Sequence, residues 1–170
     1  MERKIVGIDL AGKEKNPTGF CVLTTNERDS VEVKLLYTDE EIIRNVEIAK
    51  PALICIDAPL SMPREGEYFR KCDRELISRG YRVLSPRIPS MLILVERGMR
   101  LAKRLRELGY RCIEVFPRAT EKILGLKKER RVNQDKYDAL LCALTGKYYL
   151  NGKYEAVGDE EGVIIIPSTE

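Results

Sequence analysis

The sequence predicts an α/β fold, a mixed sheet flanked by helices with a carboxy-terminal strand addition, and three observations carry that expectation. Three apolar, strand-like runs follow one another near the amino terminus with only short polar connections. A strand, helix, strand succession comes next, the pattern of a parallel pair joined by a right-handed crossover. The remainder alternates helical segments with one further strand and closes on the apolar segment EGVIIIP. At 170 residues and 44% hydrophobic content, residues 1–170 read as a single domain. A chain of this length buries roughly 70% of the surface its unfolded form exposes.

Residues 4–10, 18–24 (TGFCVLT, after AGKEKNP) and 31–37 (VEVKLLY, after NERDS) read as an antiparallel meander, because both connections are short. Thr38 offers a helix cap, with Asp39, Glu40 and Glu41 in the first turn, and the helix runs through about Ala49 before Pro51 ends it. ALICIDAP supplies the fourth strand. The glycine- and proline-punctuated stretch that follows reads as an ordered loop beside a site, with a helix from Tyr68 to Ser78. Met91, Leu94, Val95, Gly98, Leu101, Leu105 and Leu108 then share one helical stripe, with Gly109 as the stop. YRCIEVF is a fifth strand ended by Pro117. A short helix from Ala119 to Leu124 and a basic loop lead to a helix from about Gln134 to Leu150, and EGVIIIP is a further strand at an edge or carboxy-terminal position.

Composition removes several classes of function. Histidine is absent and the five cysteines form no C-x-x-C pair, which argues against structural zinc and against histidine-based acid–base chemistry. Ser61 has no histidine partner, so a serine nucleophile is not supported. No apolar run approaches the roughly 20 residues of a membrane span, and MERKIVGIDL starts a strand almost at once. The expectation is a cytoplasmic chain with no signal peptide and no membrane partner. The net charge is only +3, yet Arg97, Arg100, Lys103, Arg104, Arg106 and Arg111 form one basic stretch. Lys127, Lys128, Arg130, Arg131 and Lys136 form another; such runs suit either a phosphate backbone or a solvated surface.

The acids carry the chemistry. Asp9 and Asp57 each end an apolar strand, in KIVGID and ALICID, and an acid in that position is either a cap or a ligand to something positive. Asp9 shares a strand face with Ile5 and Gly7, Asp57 with Leu53 and Cys55. Asp135 and Asp138 lie three apart on one face of the late helix, where either can lean toward the sheet and Asp135 also suits the helix dipole. Glu114 lies in the fifth strand on the face of Cys112 and Phe116, where it needs either a cation site or a buried ion pair. Carboxylates gathered without histidine or thiolate select Mg²⁺ or Mn²⁺, and two such ions, roughly 4 Å apart, suit phosphodiester hydrolysis.

The chain resembles an uncharacterised, DUF429-type family of predicted nucleases with an RNase H-like fold. The resemblance rests on VGIDLAG at 6–12, TGF at 18–20, IDAPLSMP at 56–63, R-x-CDREL at 70–76, SPR at 85–87, EVFPRAT at 114–120, DKYDAL at 135–140 and GDEEGVIIIP at 158–167. It implies an RNase H-like sheet, with Asp9 as the strand-one acid, Asp57 as the strand-four acid, Glu114 as the fifth-strand acid and Asp138 as the late-helix acid. Asp135 joins them as a candidate metal ligand, and Arg87, Arg118 and Lys136 as candidate substrate-binding or site-orienting residues.

Three functions stay open at this stage. The first is a Mg²⁺- or Mn²⁺-dependent nuclease acting on DNA, RNA or a junction. The second is a nucleotide or phosphate-ester hydrolase on the same fold. The third is a non-catalytic nucleic-acid-binding or scaffold protein, for which three phenylalanines and no tryptophan give little stacking surface beyond the tyrosines.

Overall fold

The computed structural model describes all 170 residues. Strands β1 (Arg3–Asp9), β2 (Thr18–Thr25) and β3 (Ser30–Leu36) form the antiparallel meander. Helix α1 (Asp39–Ala49) crosses over to β4 (Leu53–Asp57), which lies parallel to β1. Helices α2 (Lys71–Ser78) and α3 (Pro89–Glu107) precede β5 (Cys112–Val115), itself parallel to β4. Then come α4 (Pro117–Leu124), α5 (Gln134–Leu150) and the hairpin of β6 (Tyr154–Asp159) and β7 (Gly162–Pro167). The sheet order is β3-β2-β1-β4-β5-β7-β6, a mixed seven-stranded sheet whose first five strands follow an RNase H-like arrangement.

Strand alternation divides the core between the two faces of the sheet. On one face Val6, Ile8, Ile54 and Ile56 pack against Ile42 and Val46 of α1 and Leu101 and Leu105 of α3. On the other, Ile5, Cys21, Leu53 and Cys55 meet Ala139, Cys142 and Ala143 of α5. Around the carboxy-terminal hairpin, Val157, Ile164 and Ile166 pack with Cys72 and Leu76 of α2 and Ala119 of α4. All five cysteines are buried and unbridged, as small apolar residues in this core.

Local signals account for most boundaries. The Thr38 hydroxyl accepts a hydrogen bond from the Glu41 amide (3.0 Å) and so caps α1. The Asn133 side chain caps α5 in the same way through the Lys136 amide (3.0 Å). Proline occupies the first turn of both α3 and α4, where its missing N–H costs nothing.

Two expectations need correction. The helix expected from Tyr68 starts at Lys71, because Arg70 is its N-cap and donates from its backbone amide and its guanidinium to the Asp73 carboxylate. Leu108 belongs to the α3 stripe by spacing but is the helix's C-cap and half-exposed. Of the two positions open to the carboxy-terminal strand, β7 is the carboxy-terminal addition and not the edge: it lies between β5 and an unanticipated strand, β6, which forms the edge. No helix is long and apolar enough to cross a membrane.

Candidate active site

The parallel register of β1 and β4 sets Asp9 directly beside Asp57, after Gly7 beside Cys55 and Ile5 beside Leu53. Neighbouring strands are roughly 4.8 Å apart, so the two carboxyls leave the end of the sheet side by side. They point with the α5 face of the core, and α5 brings the other two acids.

Two glycines permit that approach. A Cβ on Gly7 would come 2.2 Å from the Ala139 carbonyl oxygen, and one on Gly19 would come 2.0 Å from the Asp135 carbonyl oxygen. Only a hydrogen at each position lets the first half of α5 lie directly on β1 and β2. The absence of two methyl groups thus sets the distance from Asp135 and Asp138 to the strand acids.

Neither Asp9 nor Asp57 accepts a hydrogen bond from a backbone amide or from a basic, amide or hydroxyl side chain, neither joins an ion pair within 4.0 Å, and their only polar neighbours in reach are carboxyls. Burial raises the pKa of Asp9, and the charges of Asp57, Asp138 and Asp135 raise it further, with Asp135 within hydrogen-bond reach. The Asp57 pKa is also raised, by burial first and then by Asp138, against the pull of the Asp9 hydrogen bond and of Arg118. Two neighbouring carboxyls in this state hold a proton between them unless a cation takes its place. Asp138 is pushed up by burial and held back chiefly by Arg118, whose guanidinium donates to its Oδ1; the Gln134 amide donates to the same oxygen (3.0 Å). Turned that way, Asp138 does not close a cage, and no three acids enclose an ion site as they stand. The donor set itself fits a hard divalent cation: carboxylate oxygens alone, two of them without a protein donor.

Glu114 behaves differently. Its Cα pairs with Ile56, so its side chain leaves the opposite sheet face from Asp57. Arg70 donates from Nη1 to Glu114 Oε1 and from Nη2 to Oε2, both at 2.8 Å, and the Leu60 amide donates to Oε1 (2.9 Å). The same guanidinium holds Asp73 through Nε (3.0 Å) and Nη2 (2.9 Å), and Ser61 Oγ through Nη1 (3.0 Å). Arg70 is 1% exposed. Burial still raises the Glu114 pKa although Arg70 and Leu60 lower it. Glu114 therefore sits in the buried ion pair that its strand position allowed, and it contacts the Asp9–Asp57 pair only electrostatically.

The basic candidates separate in the same manner. Arg118 also bonds Glu121 (3.0 Å) and orients Asp138 at the rim. Arg87 donates to the carbonyls of Glu67, Pro63 and Arg64 (2.6, 3.0 and 2.9 Å) and clamps the loop after β4 rather than facing the acids. Lys136 lies on the first turn of α5, and its ammonium has no ion-pair partner. Of the basic residues from Arg97 to Arg111 only Arg97 is buried, and several of the others are tied to neighbouring groups at the surface. Arg97 is 2% exposed and binds Asp39 (2.9 Å) and the carbonyls of Ala11 and Tyr37, each at 2.7 Å. Arg104 pairs with Glu40 (2.8 Å), while Arg106 and Arg111 donate to the Cys112 carbonyl and the Tyr149 hydroxyl. By contrast Lys127, Arg130 and Arg131 are exposed on the loop leading into α5.

Sequence reading did not single out Arg70 among the arginines beside the motifs, any of which could hold a cluster of acids together, and it missed Gly7 and Gly19 as spacers. The Arg70-x-x-Asp73 spacing at a helix start was the available signal for the first; nothing local marked the glycines. A family model described as "Protein of unknown function (DUF429)" matches residues 7–128, a span that includes Asp9, Asp57, Arg70 and Glu114 and stops before α5. A search of curated proteins finds no match.

Proposed function

The chain belongs to that family of unknown function, and from its acid cluster we propose a Mg²⁺- or Mn²⁺-dependent nuclease that hydrolyses nucleic-acid phosphodiester bonds. The observation that carries the reading is the Asp9–Asp57 pair: two adjacent, half-buried carboxyls that no amide, hydroxyl or basic group of the protein serves. A half-buried like-charge pair of this kind is costly, and folds retain it where a cation or a reaction uses it.

In this reading Asp9 and Asp57 hold the cations, Asp138 turns from Arg118 to join them, and Asp135 supports Asp9 from the start of α5. Bound ions would supply an activated water and charge neutralisation at the leaving oxygen. Arg118, released from Asp138, is placed to meet a phosphate oxygen with its planar fork. The exposed Lys127, Arg130 and Arg131 stand along the approach to α5, where they suit a polyanion's backbone. Glu114 acts through structure, as the anchor by which Arg70 fixes the loop after Asp57.

Incubating the chain with single-stranded, duplex, hybrid and junction nucleic acids in Mg²⁺ and in Mn²⁺ tests the proposal. Cleavage is expected in the parent and absent in Asp9→Asn, with backbone binding retained. Turnover of mononucleotides or simple phosphate esters alone would move the assignment to a small-molecule hydrolase. Salt-sensitive binding without turnover on any substrate would make it a binding module.

A further inference from the structure

On the side of Asp9 and Asp57 away from Asp138 lies a cavity of about 260 Å³ between the ends of β1, β4 and β5, α2 and α3. Leu76, Val83, Met91, Leu94 and Phe116 make its walls apolar, and Asp9 and Asp57 form one polar side. Arg70, Asp73 and Glu114 also border it, but their hydrogen bonds go to one another. The irregular segment between α2 and α3 crosses its mouth, held by Ser85 Oγ donating to the Tyr68 carbonyl (2.5 Å) and by the Arg87 clamp. At that mouth Leu84 is 48% exposed, and the exposed Arg82 has neither a hydrogen bond nor an ion pair within the molecule.

We propose that this cavity receives the base of a single unstacked nucleotide whose phosphate lies at the rim beside Arg82. The inference rests on the phosphodiester reading for a nucleotide as the ligand; the base's position rests on the cavity. Size sets the class of occupant: an apolar cavity of roughly 150 Å³ holds benzene, so this one has room for one or two fused rings but not for a base pair. Shape and chemistry agree with a heterocycle, which offers flat faces to Leu76, Val83, Leu94 and Phe116 and polar edge atoms to the carboxyls. Enzymes that work on one nucleotide take its base out of the stack into such a pocket and contact it by its faces and edge. The free guanidinium of Arg82 then has a phosphate to meet at the rim. A free mononucleotide and an unpaired residue of a strand present the same chemistry to this site.

Metal-free calorimetric titration, in chelator, with adenosine, adenosine monophosphate and ribose 5-phosphate tests the pocket directly. Adenosine and the monophosphate are expected to bind, and ribose 5-phosphate at least tenfold more weakly than the monophosphate. Val83→Phe, which fills the cavity from an irregular segment, should weaken both base-containing ligands at least tenfold. Arg82→Ala, at an exposed and unpartnered position, should weaken the monophosphate about threefold or more and leave adenosine unchanged. A four-residue single strand that outcompetes the monophosphate identifies a strand as the source, and the reverse order identifies a free nucleotide. Ribose 5-phosphate binding as tightly as the monophosphate, no adenosine binding by the folded parent, or a blunt hairpin binding as tightly as the single strand would each overturn the proposal. Because no metal is present, a failure of Mn²⁺ to bind would remove the nuclease reading alone, whereas a chain that cleaves nucleic acid yet ignores adenosine would lose only the pocket.

Discussion

Two groups of acids, one buried and one half-buried, stand a strand apart at the carboxy-terminal end of the sheet, and the protein treats them in opposite ways. Glu114 and Asp73 share one guanidinium, Arg70, with every bond between 2.8 and 3.0 Å. Asp9 and Asp57, one strand over, have each other, Asp135 and Asp138, with Arg118 reaching only Asp138. A fold that can bury an arginine to satisfy two acids, and leaves the adjacent pair without one, separates acids that hold the structure together from acids with no basic partner of their own. Burial alone does not make that distinction, since it raises Glu114 as well as Asp9.

The largest expected effect comes from breaking the satisfied cluster. Arg70→Met strands two buried carboxylates and should cost about 3–5 kcal/mol of unfolding free energy, read from a urea titration. A loss below about 1 kcal/mol would mean that Glu114 and Asp73 tolerate ionised burial unaided, and the contrast with Asp9 and Asp57 would collapse.

Moving α5 sharpens the comparison next. Gly7→Ala forces a methyl against the Ala139 carbonyl, so α5 must shift, at a cost of about 1–3 kcal/mol. Mn²⁺ affinity should fall with it while the Arg70 cluster stays intact. Unchanged affinity in that variant would separate α5 from the ion site.

The unsatisfied pair should reverse the usual sign of a mutation. Asp9→Asn or Asp57→Asn removes like-charge repulsion, so in chelator at neutral pH each variant should gain about 1 kcal/mol or more over the parent. Folded-state pKa values above the unfolded ones mean that the penalty is complete above the folded pKa and gone below the unfolded value near 4. The parent's contribution from these groups therefore improves as pH falls toward that value, and the variants' advantage vanishes there. A melting-temperature series against pH reads both.

Much of this arrangement was legible beforehand. Period-two patterning gave the strands of the meander and the face of each acid, and the crossover rule placed β4 beside β1, hence Asp57 beside Asp9. What escaped was set by distant or weak signals. The partner of Glu114 lies 44 residues earlier at a helix cap, and no spacing rule connects them. Strand β6 is exposed over its first half and buries only Val157, so KYEAVG lacks the apolar alternation by which a strand is recognised. The basic run on α3 leaves a phosphate-binding and a solvated surface both open, and no spacing shows that Arg97 alone of its charges is buried, on Asp39 and two carbonyls.

A smaller effect is expected at Arg118, whose side chain is 42% exposed. Arg118→Gln should change stability by less than about 1 kcal/mol. It also frees Asp138 and removes a positive charge beside the acids, so Mn²⁺ affinity should rise severalfold by calorimetry. A fall would assign Arg118 to supporting the ion site instead of competing for it.

Mn²⁺ titration calorimetry on the parent, Asp9→Asn, Asp57→Asn and Glu114→Gln tests the central contrast most directly. The expected result is a loss of affinity of tenfold or more in the two aspartate variants, with Glu114→Gln, if folded, close to the parent. Equal affinity in the parent and both folded aspartate variants, or a loss confined to Glu114→Gln, would contradict it.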